Sequence, residues 1–166
     1  MPWARSKRSF RVMRPDARRF SSGEFGEVVL CASQLGVRTI FGSGDLAFTK
    51  EAQALVPGIE TVAVKRGTTP GKGDECDAEA YAKRNLAAIH YQPARARQMI
   101  LAGTERAIQR AVANKGFGII PLKPPFEKVT ILRLRSGQPK QIGQSSHPGD
   151  VIALMNAPMK YEPLKK

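Results

Sequence analysis

Apolar and polar positions change period several times between Gly23 and Lys65, and that switching is the strongest structural signal in the chain. From Gly23 to Leu35, the residues Phe25, Val28, Val29, Ala32 and Leu35 recur at spacings that place them on one helical face. Gly36 follows as the glycine that closes such a helix. Val37 to Phe41 is a short apolar run that reads as a buried strand. Gly42-Ser43-Gly44-Asp45 breaks it with a sharp turn at its carboxyl end. A second helical pattern, with Thr49 as its N-cap, continues to Val56 and stops at Pro57-Gly58. Thr61 to Val64 is a second apolar run, ending in Lys65. Helix, strand, helix and strand joined by short connections predict parallel strands with crossover helices.

The remaining segments extend or cover that unit. Ser9 to Arg14 alternates as an edge strand rich in arginine, and Pro15-Asp16-Ala17 reads as a turn. Ser21 or Ser22 is placed to cap the first helix, with Glu24 in its first turn, where a carboxylate suits the helix dipole. Arg66 to Ala80 is the least structured stretch, a long Gly-, Pro- and charge-rich loop. Tyr81 to Tyr91 is a helical or irregular linker. Pro93 opens the longest helix, which runs to about Asn114 and stops at Lys115-Gly116. Its apolar stripe is Ala96, Met99, Ile100, Gly103, Ala107, Ile108, Ala111 and Val112, and Arg95, Arg97, Arg106 and Arg110 form a basic face.

Pro121 to Pro125 is an extended connector, Val129 to Leu134 alternates as a strand, and Ser136 to Gly149 is polar loop. Val151 to Met155 is a last short apolar run, and Tyr161 to Lys166 is a tail without regular structure. The expected class is α/β, three-layered, around a mostly parallel sheet. Residues 1–8 form an interrupted start, 9–135 the α/β domain, and 136–166 a polar loop, short strand and basic tail.

Composition adds little to this picture except in charge. The chain has 166 residues, 42% of them hydrophobic, enough for one domain with a real core. Lysine and arginine number 27 against 14 acids, a net charge of +13 and a pI near 10.3. That excess favours anionic partners such as nucleic acid, but it is spread along the chain rather than gathered in one stripe. No apolar run approaches the ~20 residues that span a bilayer, and the basic start lacks the apolar core of a secretory signal. Cytoplasm is the default location, and no membrane partner is expected.

Chemistry-bearing residues are sparse. Two histidines, His90 and His147, and two cysteines, Cys31 and Cys76, offer no complete nucleophilic set, and no G-x-S-x-G occurs. The loop acids Asp74, Glu75, Asp77 and Glu79 lie near Cys76 and His90 in sequence, but their spacing matches no zinc pattern. Ligands of open α/β sheets sit at the carboxyl ends of the strands. Asp45 and Lys65 stand there as rim candidates, and Asp45 reads equally well as a cap for the next helix.

Several short motifs, taken in order, carry a resemblance. Gly23-Glu24-Phe25-Gly26, Gly36-Val37, Gly44-Asp45, Leu55-Val56-Pro57 and Val62-Ala63-Val64-Lys65 follow one another. Arg84-Asn85-Leu86-Ala87-Ala88, Pro93-Ala94-Arg95-Ala96 and Pro121-Leu122-Lys123-Pro124-Pro125 come after them. Together, over residues 9 to about 135, they resemble the second half of the zinc-dependent D-aminopeptidases of the DppA type. The resemblance implies hydrolysis of N-terminal D-amino acids from short peptides by metal-activated water in the complete protein, zinc as cofactor, and assembly into a homo-oligomer.

It also implies that Glu24, the acid of Gly-Glu-x-Gly, is a metal ligand. The family's Asp-x-Glu and its metal and catalytic histidines precede the region matched here, and His90 and His147 fall on no ligand position. The expectation is therefore a carboxyl-terminal portion, or a degenerate relative, that is inactive alone. The alternatives are a basic nucleic-acid-binding module and a structural subunit of an oligomer.

Overall fold

The computed structural model describes residues 6–12, 23–84, 86–133 and 139–164, the first of these by backbone alone. The elements are β1 (Ser6–Val12), α1 (Glu24–Gln34), β2 (Phe41–Asp45), α2 (Leu46–Leu55), β3 (Glu60–Gly67) and α3 (Ala78–Arg84). They continue with β4 (Ala88–His90), α4 (Pro93–Ala113), β5 (Phe126–Leu132), β6 (Gln141–His147), α5 (Val151–Asn156) and β7 (Tyr161–Pro163). Two sheets result, one ordered β2-β3-β4 and one ordered β1-β5-β6-β7. The α/β class is as expected, but the parallel content is smaller. Among the described residues β2 and β3 pair in parallel, and the pairings β3–β4, β1–β5, β5–β6 and β6–β7 are antiparallel.

The β2-β3-β4 sheet is covered on both faces, so this part is three-layered. Gly42 and Gly44 lie under the Phe48 ring of α2, whereas Phe41 and Val62 lie against Gly103 of α4. Alternation along a strand sends successive residues to opposite faces, so α2 and α4 flank the sheet from opposite sides. This explains why β2 starts at Phe41 and includes the glycines expected to break it. A Cβ on Gly44 would stand 2.8 Å from Phe48 Cδ1. The glycines allow a ring to seat directly on the strand backbone. Val37, expected to be buried in the strand, precedes it and is 56% exposed.

The first helix differs from its sequence reading in phase. Its buried residues are Gly26, Val29, Leu30 and Ser33, while Val28 and Leu35 are 65% and 68% exposed. Ser33 holds a core position because its hydroxyl accepts from the Ile120 amide at 3.0 Å, which satisfies a buried donor that an apolar residue would leave orphaned. The N-cap is Gly23 rather than a serine; Ser21 and Ser22, like the turn at Pro15, lie outside the described residues. Gly36 does close the helix, at φ 72°, with its amide on Ser33 O and the Val37 amide on Ala32 O, the paired bonds of a Schellman end.

Further stretches differ from the sequence reading. The linker from Tyr81 to Tyr91, read as helical or irregular, carries the end of α3, which is helical as read, and the unexpected short strand β4. The polar segment 136–149 contains β6, whose backbone is paired on both sides, by β5 and β7; ladder pairing, rather than apolar alternation, makes it a strand. Val151 to Met155 lies in a helix, not a strand, because the Asp150 side chain accepts from Ala153 N at 2.8 Å and starts α5. The tail contributes β7. Val151 and Leu154 join Val29, Leu30, Ala52, Leu55, Val56, Ile59, Ile120 and Phe126 in one core cluster. No helix among the described residues is long and apolar enough to cross a membrane.

The loop after β3 is pinned rather than loose. Arg133, 7% exposed, donates from Nη1 to the Gly73 and Cys76 carbonyls, and its guanidinium lies 3.6 Å over the Tyr81 ring. Arg84 donates to the carbonyls of Pro70 and Gly71.

Candidate functional site

The site is assembled at the carboxyl end of the parallel pair. A register shift between Gly44 and Asp45 sets Asp45 opposite Lys65, and the β3–β4 ladder sets Lys65 opposite His90. Asp45, Lys65 and His90 therefore form one row across the three strands. Glu24 lies on α1, which packs on the start of α2. Phe25, its neighbour in α1, packs edge-on against Phe48 at 5.0 Å between centroids, and the Gly23 amide donates to Glu51 Oε1 at 2.8 Å. Both partners belong to the first two turns of α2, which springs from the end of β2. Glu24 itself is exposed in the first turn of α1.

Each acid at this edge has a defined position. Asp45 Oδ1 accepts from Phe48 N at 2.7 Å and caps α2, so the capping reading describes its contact, and Thr49 lies inside the helix with its hydroxyl on Leu46 O. Asp45→Ala is expected to destabilise the domain by about 1 kcal/mol, with Asp45→Asn retaining most of that. Urea denaturation of both variants measures this, and equal loss in the two would contradict the cap.

Other candidates lie elsewhere. Cys31 is partly buried on α1, and burial first, then Glu27 and Asp150, pushes its thiol above the usual range. Cys76 is shifted the same way, by desolvation and then Glu75. Neither has the depressed pKa of an activated nucleophile. His147 accepts the Asp150 amide on Nδ1 at 2.8 Å and belongs to the start of α5. Asp150 is held below the ordinary carboxylate range by the Ala153 amide, then by Gln34.

The basic face of α4 is partly spoken for. Arg106 and Arg110 reach Glu60 at 2.6 and 3.5 Å, and Arg110 also lies 4.7 Å over the Phe117 ring. Among the described residues no group of three or more His, Cys, Asp or Glu is arranged to hold a metal.

Against this geometry the comparisons with known proteins are specific. The family model described as D-aminopeptidase matches residues 18–136. The chain belongs to the D-aminopeptidase family. No curated protein matches it. Among solved structures, the Zn-dependent D-aminopeptidase DppA from Bacillus subtilis, titled a self-compartmentalizing protease, is similar in fold. Its TM-score is 0.54 at 20% identity, over 83% of this chain and 48% of that one. This D-aminopeptidase-family chain thus spans about half the length of that enzyme. His90 is the residue of the row that sequence reasoning passed over. A strand of three residues carries no periodicity to reveal it, and only its register beside Lys65 brings it to the edge.

Proposed function

We propose that this domain supplies the scaffold and one metal-binding carboxylate, Glu24, to a D-aminopeptidase site acting on short peptides with an N-terminal D-residue, and that alone it turns over no peptide. The observation that carries the reading is the family match over residues 18–136, joined to the position of Glu24 at the head of α1, which packs on the first turns of α2.

The zinc implied by the family needs about four donors per ion. The described residues do not fit it by themselves. Among the described residues Glu24 belongs to no group of three or more potential ligands, and Asp45 Oδ1 accepts from the Phe48 amide as the α2 cap. On this reading the remaining donors come from other parts of an assembled protein, which suits a chain similar in fold to a self-compartmentalizing protease and supports a homo-oligomer. Asp45 and Lys65 remain the proposed rim.

The test is release of D-alanine from D-alanyl dipeptides with added zinc. The expected result is no turnover above buffer. Turnover that Glu24→Gln abolishes would overturn inactivity of the chain alone.

A further inference from the structure

We propose that Lys65 and His90 form a carboxylate-binding pair on the β3–β4 ladder, and that its ligand is the carboxyl terminus of a short peptide. The choice of a peptide rests on the functional reading above; the pairing rests on the fold.

Directly opposed residues of an antiparallel pair share a face, with Cβ atoms about 5 Å apart. Lys65 and His90 are opposed in this way, and both are exposed. Among the described residues neither side chain makes a hydrogen bond or ion pair. An ammonium and an imidazole N–H side by side offer two donors to the two oxygens of one carboxylate, and such charge-assisted bonds are the stronger kind. Asp45, the acid that continues the row, forms no ion pair with Lys65 among the described residues; its Oδ1 accepts from the Phe48 amide.

The backbone supplies a second, independent observation. The register shift between Gly44 and Asp45 skips Val64, whose carbonyl accepts instead from the Tyr91 amide at 3.0 Å. A one-residue irregularity of this kind re-aims the side chains beyond it and is over-represented beside active sites. Here it puts Lys65, rather than Val64, at the end of β2. The row also stands where ligands enter α/β sheets, outside the carboxyl ends of parallel strands.

The experiment is an NMR titration of the full chain in low salt at pH 7, following the Lys65 and His90 amide resonances and the His90 ring. The probes are D-alanyl-D-alanine, L-alanyl-L-alanine and D-alanyl-D-alanine amide. Both free acids are expected to shift these resonances saturably and the amide is not. Lys65→Met and His90→Gln, at exposed positions where folding is unaffected, are each expected to weaken binding about tenfold. Equal binding of the amide, or unchanged affinity in the double variant, would overturn the pair. Equal binding of the D and L acids would support the carboxylate pair while leaving D-selectivity to be found elsewhere, so the two readings fail separately.

Discussion

Phe126→Ala is expected to cost about 3–5 kcal/mol. Phe126 is 2% exposed at the start of β5 and is among the largest fully buried side chains. It lies in the cluster where α1, α2, α5 and the 117–126 connector meet, so its removal opens a cavity at a junction of elements that are each tied elsewhere. Such a site relaxes poorly, which places the cost toward the upper end of its range. Domains of this kind have a total stability of only about 5–15 kcal/mol, so the variant is marginal at best. Urea unfolding followed by circular dichroism measures it, with Val112→Ala as control. Val112 is 78% exposed on α4, and its truncation is expected within ~0.5 kcal/mol of the parent. A similar loss in both variants would contradict the placement of the core.

The second large effect is expected at Gly103. Glycine inside a helix ordinarily costs about 1 kcal/mol relative to alanine, so propensity alone predicts that filling this position helps. Packing predicts the reverse. A Cβ at Gly103 would stand 2.5 Å from Val62 Cγ2 and 2.9 Å from the Phe41 ring. Helix α4 therefore has to move off the sheet to admit any side chain. Gly103→Leu is expected to destabilise by about 3 kcal/mol, the upper part of the overpacking range, and Gly103→Ala by less. The pair measured by thermal or chemical denaturation separates the two effects; stabilisation by alanine would show that the helix does not rest on Val62.

The contrast between these helices shows what the sequence made legible. Helix α4 was readable in extent almost to the residue, because Pro93 at its first turn and Lys115-Gly116 beyond it agree, but of its expected stripe Gly103, Ala107 and Ala111 are buried while Ile108 and Val112 are exposed. Helix α1 was readable in extent but not in phase. Gly26 and Ser33 are buried there, Ser33 because its hydroxyl accepts from the Ile120 amide, a reason that hydrophobicity does not encode. Strand β2 was displaced because its glycines serve packing under Phe48 and not a turn. Strand β6 was missed because a polar segment held by ladders on both sides has no apolar alternation, and α5 was mistaken because six residues are too few to tell a helix from a strand by period.

The candidate site divides in the same way. Glu24 is singled out only by the order of short motifs shared with the D-aminopeptidases, since nothing in local pattern distinguishes it from an ordinary first-turn acid. Lys65 and Asp45 were placed at the strand ends by the alternation of elements alone. The row that joins them to His90 depends on a register shift and on a three-residue strand, neither of which leaves a trace in composition or periodicity.

On the proposed function, this family domain contributes Glu24 to a zinc site that it does not complete. Zinc content after equilibrium dialysis of the full chain tests it most directly, measured for the parent and for Glu24→Gln at a zinc concentration of about 1 μM. The expected result is zinc well below one ion per chain in both proteins. Stoichiometric zinc in the parent, lost in Glu24→Gln, would contradict the claim and place a complete metal centre within this chain.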